Sequence, residues 1–242
     1  TLRVTGITGN VQPDNFSDHP AVSANGRFIA YTSFAKNLVS LDTDIGDVFV
    51  LDTQTGQTTK VSVSTSGEGG DDQSRLPSIS DNGRVIAFES RATNLVTGDS
   101  NAFKDIFVRD LDASTTTRAS ISAAGTQFNS ASEAPSVSGD GRYVAFEGKV
   151  GNRTAIFAFD RTTGTSTELD LTNDSGTPNG PSMEPSLSQD GRFVAFRSAA
   201  TNLISPSTTS AALPDTTPAP PPPQATEVRS RAVLRRTLKR NR

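Results

Sequence analysis

An all-β fold built from repeated four-stranded antiparallel units is predicted by three observations on the sequence. A dozen-residue phrase returns four times, as PAVSANGRFIAY from Pro20, PSISDNGRVIAF from Pro77, PSVSGDGRYVAF from Pro135 and PSLSQDGRFVAF from Pro185. Its glycines, Gly26, Gly83, Gly141 and Gly191, stand 57, 58 and 50 residues apart, the period of a modular array rather than of one irregular domain. Downstream of the first three copies comes a further apolar run, DVFVLD, DIFVRD or AIFAFD, each ending on an aspartate.

The elements of one unit follow in order. Small and β-branched residues such as Ser78, Ile79 and Ser80 open it as a first strand. An Asn-Gly or Asp-Gly pair then favours a tight hairpin, because Asn and Asp tolerate positive φ and Gly adopts it freely. Phe28–Tyr31 and Tyr143–Phe146 are compact β-prone runs without helical periodicity and read as second strands. Asp47–Asp52, Asp105–Asp110 and Ala155–Asp160 are third strands, and the Thr-rich stretches after them give a turn and an exposed outer strand.

One such sheet cannot bury both faces, and radial stacking of neighbours is the economical way for repeats of this length to share a core. The expected architecture is a β-propeller. The phrase PSxSxDGRxxAF resembles the repeat of the TolB-like, WD40-like (PD40) propeller family over residues 1–204. Complete blades are expected near 18–64, 75–122 and 133–171, with a partial blade at 184–204 and an outermost strand of another at 1–4. Three complete and two partial blades leave three arrangements open: closure by the N-terminal strand, part of a larger ring such as the six blades the resemblance implies, or self-association of two copies to complete the propeller. Open edges and apolar blade faces favour association.

Residues 205–226 are rich in Pro and Thr and read as an extended linker. Beyond it, residues 227–242 carry seven Lys and Arg against one Glu, opposing 16 basic and 25 acidic residues in the rest. Such a tail, disordered or helical, is able to attract nucleic acid or an anionic surface. No aromatic residue interleaves its arginines, so a base-stacking platform is not expected. No apolar run is long enough to span a membrane, no secretory leader is present in the sequence, and the absence of cysteine excludes disulfides.

Two regions carry candidate chemistry. In the loops between second and third strands, Asp42, Asp44 and Asp47, and again Asp99, Asn101 and Asp105, space oxygen ligands as in the opening of a calcium loop. Both lack the distal Glu of an EF-hand, and ordinary Asx turns account for the same residues. Ahead of each repeat proline lies a serine, Ser17, Ser74, Ser132 or Ser182, followed by DH, RL, EA or ME. These segments lead into the innermost strands and place Asp18, His19, Arg75, Glu133 and Glu184 near one mouth of the central channel. That rim is the expected binding surface. The alternative is that the serines cap turns and the variable residues face water. Arg27, Arg84, Arg142 and Arg192 are expected to brace strands through Asp52, Asp110 and Asp160.

Catalytic constellations are missing: there is one histidine, no Gly-x-Ser-x-Gly elbow, no HExxH, no phosphate-cradling GxxxxGK[ST] and no thiol. A carboxylate pair for glycoside hydrolysis requires Glu133 and Glu184 to face each other across a pocket. The resemblance implies a noncatalytic module of the bacterial envelope or exterior, binding a protein, peptide or glycan without a required cofactor. The alternative it implies is a propeller that recruits or gates substrate for a hydrolase domain elsewhere.

Overall fold

The computed structural model describes residues 12–40 and 45–203. The proposed N-terminal strand 1–4, Asp42 and Asp44, the linker and the basic tail all lie outside the described residues.

Fourteen strands are formed among the described residues. The first sheet holds β1 (Ser17–Val22), β2 (Phe28–Ser33), β3 (Asp47–Asp52) and β4 (Gln57–Lys60), and the second holds β5 (Ser74–Ile79), β6 (Val85–Ser90), β7 (Asp105–Asp110) and β8 (Thr115–Arg118). The third comprises β9 (Glu133–Val137), β10 (Tyr143–Val150), β11 (Arg153–Asp160) and β12 (Thr165–Glu168), and the fourth β13 (Ser182–Leu187) and β14 (Val194–Ser198). Strands pair antiparallel in sequence order within every sheet. The third blade differs because Gly151 replaces the long loop with a tight turn, letting β10 and β11 run eight residues each.

The blades stack face to face, and this is why β2, β6 and most of β10 are buried on both sides. Phe28, Ala30, Val48 and Val50 of blade one pack with Ile86, Phe88 and Phe107 of blade two. Val85, Ala87, Ile106 and Val108 from the other face of blade two pack with Val137, Val144, Phe146, Ala155 and Phe157. Ala145, Ile156 and Ala158 then meet Val194 and Phe196 of blade four. On the outward face of blade four, Phe193 and Ala195 are half-buried, whereas their counterparts Phe28 and Ala30 are buried.

The repeated phrase is explained by these interfaces. The serine after the proline bridges blades, Ser78 Oγ accepting the Val137 amide at 3.0 Å and Ser136 Oγ the Leu187 amide at 3.0 Å. The second serine closes the hairpin, as where Ser80 Oγ accepts from the Val85 amide and donates to Asn82 Oδ1. Gly83 has φ of +73° and packs directly against Phe28 of the preceding blade. Hairpin tips are tied together as well, Ala24 N to Asp81 O and Asp81 N to Gly139 O.

Two expectations are corrected. Arg27 and Arg142 do clamp Asp52 and Asp160 with paired hydrogen bonds, but Arg84 lies 3.5 Å from Asp112 while Asp110 is held by Arg161 of the next blade at 2.6 Å. Arg84 instead stacks on Phe28, whose ring also carries Arg27. Nor do the serines ahead of the prolines cap turns: Ser17, Ser74 and Ser182 bond the hydroxyls of Ser33, Ser90 and Ser198 across the inner hairpin, each at 2.9 Å.

Candidate channel-mouth site

β1, β5, β9 and β13 are the inner strands and adjoin one another in series. Each carries the same defect. Its register shifts by one residue, and the residue before the repeat proline is left-handed: His19 (φ 49°), Leu76 (52°), Ala134 (54°) and Glu184 (58°). A residue before proline ordinarily favours extended backbone, and a left-handed non-glycine residue costs about 1–3 kcal/mol. Four equivalent bulges around one axis are therefore held in place by their surroundings.

Those surroundings include a carboxylate from the preceding blade. Glu147 Oε1 of β10 accepts the Glu184 amide at 2.8 Å, and Glu89 of β6 faces the Ala134 amide from the equivalent position. Burial pushes the Glu89 carboxyl above its ordinary range against the pull of Lys104, 3.5 Å away. The corresponding residues of blades one and four are Thr32 and Arg197.

The bulges enclose a concavity of about 410 Å³ lined by His19, Pro20, Leu76, Pro77, Ala134, Pro135, Glu184 and Pro185. Four prolines, a leucine and an alanine make the walls apolar, and His19 and Glu184 are the polar groups on it. Of the five predicted rim residues, these two line the concavity. The other three stand one position earlier in their strands and form ion pairs: Asp18 Oδ2 with Arg75 at 3.4 Å, and Glu133 with Lys104. His19 Nδ1 also lies 2.7 Å from Asp18 Oδ1, and Glu184 pairs with Arg197 at 3.2 Å. Glu133 is half-buried and Glu184 exposed, and each is ion-paired separately, unlike the enclosed acid and base of a glycosidase. Glu89, Lys104, Glu147 and the left-handed Leu76 and Ala134 were missed by sequence reasoning. The second-strand position Thr32, Glu89, Glu147, Arg197, polar within an apolar run, was the available signal.

At the proposed calcium loops the described carboxylates face the protein's own donors. Asp47 accepts from Ser62 at 2.7 Å and pairs with Lys60 at 2.5 Å. Asp105 accepts from Ser120 and Gln127, Asp99 from Gln127, and Arg118 lies 3.4 Å from Asp99 and 3.8 Å from Asp105. Asn101 is engaged with the Phe128 carbonyl and the Phe103 amide. Among the described residues no three or more His, Cys, Asp or Glu converge to hold a metal ion.

Stacked four-stranded sheets with their inner strands around one axis make a β-propeller. The fold is that of a TolB-like β-propeller. The TolB of Acinetobacter baumannii superposes with a TM-score of 0.50 at 19% identity, over 79% of this chain and 40% of that one. A putative TolB from Agrobacterium tumefaciens gives 0.51 at 18% identity, over 78% and 56%. This TolB-like chain therefore spans about half the length of those structures. No family model and no curated protein matches its sequence. Among the described residues, no helix of the TolB-like chain is long and apolar enough to cross a membrane.

Proposed function

We propose that this TolB-like propeller is a noncatalytic binding module of the bacterial envelope or exterior, and that its channel mouth receives an extended segment of a protein partner. The observation that carries this reading is the set of four left-handed bulges around one apolar concavity. Strain repeated at every inner strand, and at Glu184 latched by the Glu147 carboxylate of the neighbouring blade, is the kind retained where a surface must be presented in one shape. Proline walls with two polar groups suit a peptide, which brings apolar side chains and a few hydrogen bonds. Among the described residues, no Phe, Tyr or Trp lines the concavity to stack a sugar. A second copy would extend the ring through the half-buried Phe193 and Ala195 of blade four.

The test is capture of partners from an envelope extract by the immobilised full chain, compared with His19→Asn and Glu184→Asn. Asparagine tolerates positive φ, so both variants keep the bulge and melt with the wild type. Capture lost in both supports the reading; the same proteins captured undiminished overturn it.

A further inference from the structure

Blade one carries an aromatic shelf beside the channel mouth that the other blades lack. Phe16, just ahead of β1, stacks on Phe34 at 4.5 Å between ring centroids and is 58% exposed. Phe34 carries the Arg75 guanidinium over its ring at 5.9 Å, and Arg75 in turn pairs with Asp18, which lies against His19. Phe16, Phe34, Arg75, Asp18 and His19 are thus one contiguous patch ending at the concavity. The positions matching Phe16 in the other blades are Gln73, Ala131 and Pro181. The repeat does not require an aromatic residue there.

The surrounding charge indicates what would seat on it. Among the described residues the mouth and its latch bring four carboxylates, Asp18, Glu133, Glu147 and Glu184, against the cations of Arg75, Lys104 and Arg197. An aromatic face attracts a cation through its quadrupole, the more so where carboxylates outnumber basic groups nearby. The chain uses this pairing itself, with Arg27 and Arg84 at 4.8 and 4.7 Å over the Phe28 ring.

We propose that Phe16 is a specificity-determining anchor that seats an arginine or lysine side chain of the bound polypeptide. Its guanidinium or ammonium group lies on the open face of the Phe16 ring, and the rest of the segment continues over His19 into the proline-walled concavity. The anchor rests on the channel-mouth reading for the remainder of the segment, yet is measurable without a partner.

The experiment titrates the full chain with N-acetyl-arginine amide and with the uncharged isostere N-acetyl-citrulline amide, following backbone amide shifts by NMR. Saturable shifts confined to residues around Phe16–His19 are expected, with citrulline about two- to fivefold weaker, the scale of one exposed cation–π contact. Phe16→Gln, which places at this position the residue blade two uses, should abolish the difference while leaving the melt unchanged. Equal binding of the two probes, shifts elsewhere, or an unaltered preference in Phe16→Gln would overturn the anchor. Loss of the anchor with partner capture intact would leave the channel-mouth reading standing, and the reverse result would remove that reading alone.

Discussion

A Cβ placed on Gly83 would lie 2.2 Å from Cδ2 of Phe28 in the preceding blade, so the turn glycine is a packing surface as well as a backbone hinge. Gly141 against Val85 and Gly191 against Tyr143 repeat the contact. Gly26 has the same φ and nothing within 4 Å. Both Gly26→Ala and Gly83→Ala force a side chain into left-handed backbone, at about 1–2 kcal/mol. Only the second also overpacks a buried interface, adding about 1–3 kcal/mol. Urea unfolding of the two variants separates the terms, and equal losses would mean that Phe28 moves aside freely.

The Glu147 to Glu184 contact predicts a graded response. Glu147→Ala removes the acceptor of the Glu184 amide and, because that bond is exposed, should cost only about 0.5–1.5 kcal/mol. It should also weaken partner capture, because the bulge that presents Glu184 loses its latch. Glu147→Gln keeps an acceptor oxygen and should restore capture. If Ala and Gln bind alike, Glu147 does not position the mouth.

The fold was legible because one phrase states it four times, and each of its letters has an interface role: serine bridging blades, glycine under an aromatic or valine, alternating apolar residues on two buried faces. The mouth was legible only in part. His19 and Glu184 stand out as polar residues before proline, while Leu76 and Ala134 occupy the same strained geometry and look like ordinary strand residues. Arg161, which takes Asp110 from Arg84, is invisible in sequence because the pair joins different blades. Glu147 sits in an apolar register where the Glu184 amide of the neighbouring blade explains the carboxylate, and Glu89 in one where Lys104 does.

Stability should respond to pH in opposite senses at two sites. The Arg27 hydrogen bonds hold the Asp52 carboxyl at about 2, below its ordinary 3.8, so its contribution is present above 3.8 and is lost as pH falls toward 2. Asp52→Asn should therefore lose less stability than wild type over that acid limb. Burial raises the Glu89 carboxyl above its ordinary 4.5, so the native state favours its protonated form. That contribution is full below 4.5 and is lost as pH rises through the folded value. Glu89→Gln should gain on wild type as pH rises above 4.5. Urea midpoints across the range check both, and parallel curves for wild type and variant would exclude the corresponding site.

Calcium should act weakly at the second of the two proposed calcium loops, because that loop is already cross-linked by cationic and amide groups. Arg118 and Gln127 face Asp99 and Asp105, and a divalent ion would have to displace a guanidinium from carboxylates that are 3% exposed or less. We expect millimolar calcium to leave the melting temperature of the full chain unchanged. Arg118→Gln, which removes the competing charge but retains a hydrogen-bonding side chain, should melt lower and regain part of the loss when calcium is added. A calcium-dependent rise in the wild type that disappears in Asp99→Ala would place the ion in the loop and reverse this expectation. Absence of any calcium effect in Arg118→Gln would show that the loop holds its shape through Ser120, Gln127 and Asn101 without needing a cation.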